Sequence, residues 1–242
     1  MPTLALRNPF RGLVSLFYPP FCALCSGVVE LGEYLCPVCA AKVTRIFPPF
    51  CAKCSQPFDG AITGSFTCAN CEDRVLHFDA AVSAYRSRGV VRKVMLDFKY
   101  GRRIHLRHLL GGWLAESLVD PRLAGRRFDL IVPVPLHPAK KRERGFNQAE
   151  VLATVLRRRC RLRVEDALQR TRYTETQTHF DRDERMQNLK GAFRLRRGSN
   201  VQDLRMLLVD DVLTTGSTLS ECASVLKKAG ALSVHAATAA RG

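Results

Sequence analysis

The stretch LLVDDVLTTGST at residues 207–218 constrains the fold of this chain more than any other. Leu207 to Val209 read as a buried strand, with Asp210 and Asp211 at its C-terminal end. Thr214, Thr215, Gly216, Ser217 and Thr218 then make a small-residue turn that opens a helix. Leu219, Ala223 and Leu226 give that helix an apolar stripe, and Gly230 ends it. A helix opened in this way presents backbone N–H groups and the positive end of its dipole, which together hold a phosphate, with the hydroxyls assisting. Two carboxylates beside such a cradle repel phosphate. They must therefore face another part of the ligand, either sugar hydroxyls or a magnesium ion, and a phosphorylated ribose meets both demands.

The segments before this stretch alternate between strand and helix. Phe78, Ala80, Val82 and Ala84 alternate as a strand would, and Val90, Val94 and Phe98 then share one helical face. A second helix is predicted over 104–119 through Leu106, Leu109, Leu110, Trp113 and Leu114, with Trp113 in the core. Residues 129–135, DLIVPVP, form a short apolar run of the kind buried in a parallel sheet. A basic loop and a helix around Ala149, Leu152, Ala153 and Leu156 follow. The order is that of an α/β domain, a parallel sheet flanked by helices.

The first third reads differently. Eight of the ten cysteines lie there as four C-x-x-C pairs, Cys22/Cys25, Cys36/Cys39, Cys51/Cys54 and Cys68/Cys71. Each pair puts two thiolates on one side of a tight knuckle, and two knuckles complete a tetrahedral shell suited to zinc. Two structural zinc ions are expected in a small module over 1–76, followed by the α/β domain over 77–242. Sequential pairing and interleaved pairing of the knuckles are both open. Closed four-thiolate sites hold a fold together and do no chemistry. Phe21, Phe47, Phe50, Phe58 and Phe66 interleave with the knuckles and are expected to pack a minimal core. Cys160 and Cys222 have no C-x-x-C partner and read as unliganded thiols.

Composition bears on location and partners. With 46% hydrophobic and 25% charged residues, the chain is neither disordered nor fibrous. No apolar run reaches the roughly 20 residues of a membrane span. No signal-type apolar core follows Arg7 and Arg11, so a cytoplasmic location is expected, where thiols stay reduced and available to metal. The formal net charge is +16, and residues 1–85 hold six basic and six acidic residues, so the whole excess falls on 86–242. Within 86–107 the basic residues Arg86, Arg88, Arg92, Lys93, Lys99, Arg102, Arg103 and Arg107 face a single acid, Asp97, with Tyr85, Phe98 and Tyr100 interleaved. Such a surface is a candidate track for single-stranded DNA. The run Arg157 to Arg163 either extends it or caps a helix C-terminus.

Residues 207–218 resemble the type I phosphoribosyltransferases, whose signature is an apolar strand, two acids and a T-T-G-[GS]-T loop. That resemblance implies that Asp210 and Asp211 hold the ribose hydroxyls of phosphoribosyl pyrophosphate, bound with magnesium, and that Thr214 to Thr218 hold its 5′-phosphate. The segments IVPVPLHPAKKRERGFNQAE (131–150), RTRYTETQ (170–177) and ERMQNLKGAF (184–193), with the four thiolate pairs, extend it over nearly the whole chain. Together they resemble the ComF-type competence family (ComFC and GntX-like proteins), in which a zinc-binding head precedes a phosphoribosyltransferase-like domain. The resemblance implies a role in uptake of single-stranded DNA during natural transformation, alongside uptake-machinery proteins. Lys140, Lys141, Arg142 and Arg144 match the family's pyrophosphate-side loop, and Arg170, Thr174, Gln177, Arg185 and Asn188 match other family positions. Purine-salvage relatives carry an acidic base where this chain has Thr214. Relatives that make phosphoribosylamine use a glutaminase domain with an N-terminal cysteine, for which a chain beginning Met1-Pro2 has no counterpart. Those two reactions are therefore disfavoured, and an enzyme with another acceptor and a ligand sensor without turnover both stay open.

Overall fold

A computed structural model describes residues 20–62, 64–173 and 188–242. Arg7, Arg11, Thr174, Gln177 and Arg185 lie outside the described residues. Two single-turn helices, α1 (Pro37–Ala40) and α2 (Ala69–Glu72), belong to the cysteine knuckles. The chain then runs β1 (Ala81–Ser83), α3 (Gly89–Tyr100), α4 (Arg107–Ser117), β2 (Leu130–Pro133), α5 (Pro138–Arg144) and α6 (Gln148–Cys160). It continues through β3 (Arg163–Val164), β4 (Leu168–Arg170), β5 (Phe193–Leu195), β6 (Arg205–Leu213), α7 (Ser217–Lys228) and β7 (Ser233–Arg241). Five strands form one parallel sheet in the order β1-β7-β6-β2-β3, and β4 pairs antiparallel with β5 apart from it.

Residue period two along the central strands sorts side chains onto two covered faces. Leu207 and Val209 of β6 with Ile131 of β2 pack against Val94 and Phe98 of α3, Leu110 and Leu114 of α4, and Leu152 and Leu156 of α6. Met206, Leu208, Leu130 and Val132 face the other way, toward Leu219, Cys222, Ala223 and Leu226 of α7. The knuckles join these same clusters: Cys22 and Cys39 lie with the first face, and Cys51, Cys54 and Cys71 with the second.

The structure corrects four expectations. β1 alternates between two covered faces, Ala81 toward one cluster and Val82 toward the other, so Ala81, Val82 and Ser83 are all buried and its burial does not alternate. The segment after Cys51 lies along it: Ala81 N–H donates to the Lys53 carbonyl (2.8 Å) and the Ser55 hydroxyl donates to the Ala81 carbonyl (3.0 Å). The cysteine module thereby covers the edge strand. β6 runs through Asp210 and Asp211 to Leu213 and does not end at the acids, since it pairs along its length with β7. The basic segment 138–144 is a helix and not a loop. His137 Nδ1 accepts from the Ala139 N–H, Pro138 fills the first turn, and Gly145, at φ +84°, stops the helix. Finally, Phe21, Phe47 and Phe58 are 56%, 65% and 41% exposed. The cysteines and the sheet supply the module's apolar contacts, so these rings stay in the knuckle turns facing solvent.

Candidate functional site

Pro133 of β2 pairs with Val209 of β6, so the carboxyl ends of these neighbouring parallel strands lie at one edge of the sheet. α5 follows β2 there and α7 follows β6, the crevice in which open α/β sheets bind ligands. The turn 214–218 forms a small open hollow lined by Asp210 and residues 212–219. Small and open to solvent, the hollow suits one end of a larger ligand. Gly216 precedes α7 at φ +81°, a left-handed conformation in which a Cβ would also stand 3.4 Å from the Phe78 ring. Gly216 has no side chain to cap the helix, and the Ser217 N–H donates to Thr215 Oγ1 in a long bond of 3.4 Å. Thr215 Oγ1 lies 3.0 Å from Ser217 Oγ, so two hydroxyls converge beside the first-turn N–H groups.

The acidic pair sits among cations. Lys99 Nζ reaches Asp211 Oδ2 at 2.8 Å, with the lysine 22% and the aspartate 9% exposed at the side chain. Asp210 Oδ1 accepts from the Asp211 N–H at 2.8 Å. Burial first, and then the Asp211 charge, push the Asp210 carboxyl up to about 7, against the opposing pull of Lys99 and Arg170. An acid raised in the folded state favours folding most below the ordinary carboxylate range, and that contribution is lost as pH rises through about 7. Asp210→Asn is therefore expected to stabilise the ligand-free protein increasingly between pH 4 and 7 and by about 2 kcal/mol at pH 8. Urea unfolding at pH 5 and pH 8 checks this, and an equal effect at both would count against it.

Lys99 is the residue whose expected role changes most. It was a candidate for the DNA track, yet it carries the site's closest cation. The signal was available in the sequence, because Lys99 continues the helical positions of Val91 and Met95, both buried. Asp211 in turn holds the lysine in its charged form, raised against the effect of burial. Lys99→Met is expected to destabilise the protein by about 1–3 kcal/mol, because it leaves a buried carboxylate short of its partner. DNA affinity should not change. Unchanged stability with weakened DNA binding would return Lys99 to the track.

The basic helix α5 is anchored at this edge. Asn147 caps α6 by accepting from the Ala149 N–H (3.0 Å) and donates to the Val134 carbonyl just beyond β2 (3.0 Å). Arg144 donates to Gln148 Oε1 (2.8 Å) and its guanidinium lies 5.1 Å from the Tyr100 ring centre. Lys141 is held by Glu150 at 2.6 Å, Lys140 lies over the Tyr173 ring, and Arg142 is exposed. The four cations thus divide, with Lys141 already neutralised.

The expected DNA track also divides. Arg86 is bound to Asp59 (2.7 Å), and Arg103 to Asp97 and the Ala23 carbonyl. Lys93 makes a weaker i,i+4 pair with Asp97 at 3.6 Å. Arg88, Arg92, Lys93 and Arg102 remain exposed. Of the three aromatics, Tyr85 and Phe98 are core residues and Tyr100 is exposed. Arg107 lies beside the exposed Arg158 and Arg159 of α6, since burial and then these three cations depress His108. The second basic run therefore extends the positive surface and also ends α6, whose last turn holds Arg157, Arg158 and Arg159.

The cysteines resolve the open pairing. Cys22, Cys25, Cys36 and Cys39 converge as one group, and Cys51, Cys54, Cys68 and Cys71 as another, with the sulfurs of each within 4.8 Å of one another. The pairing is sequential. Four thiolates so close repel unless a cation sits among them. Cys51 is drawn well below the usual thiol range, first by the Cys54 and Cys71 side chains, while Cys71 is pushed well above it, first by the Cys51 side chain. Both all-sulfur tetrads fit zinc. The second is the more buried, since Cys25 of the first is exposed.

Residues 13–72 match the double zinc ribbon domain family and residues 142–242 the phosphoribosyl transferase domain family. The chain is 34% identical over 224 residues to DNA utilization protein YhgH of Escherichia coli, covering 91% of this chain and 96% of that protein. It is 31% identical over 167 residues to competence protein F of Haemophilus influenzae, covering 67% of this chain and 73% of that protein. Competence protein ComFC of Bacillus subtilis is 32% identical over 116 residues, 46% of this chain and 44% of that one. Among the described residues no helix is long and apolar enough to cross a membrane.

Proposed function

The chain belongs to the ComF-type competence protein family, a double zinc ribbon joined to a phosphoribosyltransferase domain, and from that premise we propose that it binds phosphoribosyl pyrophosphate with magnesium and serves the handling of incoming single-stranded DNA. The observation that carries the ligand is the Asp210–Asp211 pair beside the start of α7, which opens at Gly216. The first-turn N–H groups and the Thr215 and Ser217 hydroxyls take the 5′-phosphate. Asp210 and Asp211 take the ribose hydroxyls, and Lys99 keeps Asp211 in place while the site is empty. Arg142, Arg144 and Lys140 supply positive charge for the diphosphate. Magnesium, when bound, would neutralise diphosphate charge. Thr214 offers a hydroxyl and no carboxylate at the position of the salvage enzymes' base, which favours a ligand-binding role over base transfer. An enzyme with another acceptor is the second reading.

The DNA half rests on the exposed cations Arg88, Arg92, Lys93 and Arg102, with Arg107, Arg158 and Arg159 as a second patch. A reducing cytoplasm, where thiolate zinc sites persist, is the proposed setting. Fluorescence anisotropy with a labelled single-stranded oligonucleotide tests this half. Affinity should fall with salt by about 0.7 logarithmic units per phosphate contacted, for each tenfold rise in salt. Arg88→Glu/Arg92→Glu should weaken it and Asp210→Ala should not. Diphosphate release in samples that bind the ligand would promote the enzyme reading. Salt-independent binding, or full affinity after charge reversal in both patches, would remove the DNA half.

A further inference from the structure

The second zinc ribbon and the ligand turn touch through hydrogen bonds that the phosphate-binding account does not use. α2 carries Asn70 and Cys71 and is followed by Arg74, so the zinc tetrad fixes its position. From there Asn70 Nδ2 donates to the Thr215 carbonyl at 3.2 Å and Arg74 Nη2 to the same oxygen at 2.5 Å. Arg74 is braced by its Nε, which donates to the Asn70 carbonyl at 3.0 Å. On the other side of the turn, Arg241 is 5% exposed and donates from Nε to the Cys54 carbonyl (3.1 Å) and from Nη1 to the Leu213 carbonyl (3.1 Å). The Gly242 N–H donates to that Leu213 oxygen as well (2.8 Å).

Each bond acts through the planarity of a trans peptide, in which the carbonyl of one residue and the N–H of the next point opposite ways. Drawing the Thr215 carbonyl toward the ribbon turns the Gly216 N–H away from it. Drawing the Leu213 carbonyl toward Arg241 does the same for the Thr214 N–H. These are turn amides that line the hollow. A turn built around Gly216, in which the Ser217 N–H is held by Thr215 Oγ1 only at 3.4 Å, has little local stiffness of its own. We infer that Asn70 and Arg74 are positioning residues for the phosphate turn, so that the ribbon held by the Cys51/Cys54/Cys68/Cys71 site helps set the ligand affinity of a cradle formed elsewhere in the sequence. The inference rests on the phosphoribosyl pyrophosphate reading for its ligand and on the hydrogen bonds alone for the coupling.

Two measurements on zinc-loaded protein separate these dependences. Amide hydrogen exchange over 213–218 is compared between the native chain, Arg74→Ala, Asn70→Ala/Arg74→Ala and the conservative Arg74→Lys, and the same proteins are titrated with phosphoribosyl pyrophosphate and magnesium. The double variant is expected to keep two zinc ions per chain and a near-native melting midpoint, yet exchange its turn amides about tenfold faster. Its ligand affinity should fall about tenfold, the equivalent of one lost hydrogen bond to a charged donor, and Arg74→Lys should recover most of it. Native exchange and affinity in a zinc-loaded double variant would overturn the coupling. A native protein that binds no ligand would sink the functional reading, while the exchange comparison would still decide the coupling.

Discussion

Cys51→Ser is expected to remove one zinc ion and lower the melting temperature by roughly 10 °C or more, equivalent to about 4 kcal/mol for a chain of this size. Cys51 is fully buried, accepts the Cys68 N–H through its sulfur at 3.3 Å, and belongs to the apolar cluster beneath α7. Losing the ion would leave three close thiols and release the segment that covers β1. Cys25→Ser, at the exposed member of the other tetrad, should also cost one zinc ion but less than half as much stability. Zinc content and calorimetric melting of the two variants check the asymmetry. Equal small shifts would show that neither ion supports the fold.

Asp210→Ala/Asp211→Ala is expected to weaken binding of magnesium and phosphoribosyl pyrophosphate by about 100-fold or more. Two charge-assisted contacts at about 1.5–3 kcal/mol each set that scale. The same substitution should leave the stability of the ligand-free protein at pH 8 nearly unchanged, because removing ionised Asp210, held there at a cost to folding, offsets the loss of the Asp211 partner of Lys99. A variant that lost both stability and binding would point to a structural role for the pair. Retained binding in a stable variant would place the ligand elsewhere.

What the sequence made legible was local. The strand, acids, turn and helix of 205–228 follow one another in the chain, so hydropathy period, Gly216 and Gly230 were enough to read them. The C-x-x-C spacing likewise announced two tetrads. Their pairing was not legible, because knuckle spacing is compatible with either partner and the choice is made in three dimensions. The sequence of α5 suggests a loop, because KKRER is a charge run without an apolar stripe. It is helical through its ends, where His137, Pro138 and Gly145 hold a short polar segment. Lys99 counts with the cations along the chain, but around α3 it prolongs the buried face and meets Asp211, a contact that only the fold reveals. Asn70 and Arg74 gave no local signal, since their bonds to Thr215 span 145 and 141 residues. The exposed phenylalanines failed for a related reason: in a module held by metal, burial is not what fixes the turns.

Residues 210–218 are proposed to form a cradle for a phosphorylated ribose. Amide chemical shifts of the zinc-loaded protein, followed as phosphoribosyl pyrophosphate and magnesium are added, test it most directly. Saturable shifts at Asp210, Asp211 and Thr214 to Thr218, accompanied by shifts at Lys140 to Arg144, are the predicted result. A folded protein whose 210–218 amides do not move at millimolar ligand, or whose shifts cluster on another face, would contradict it.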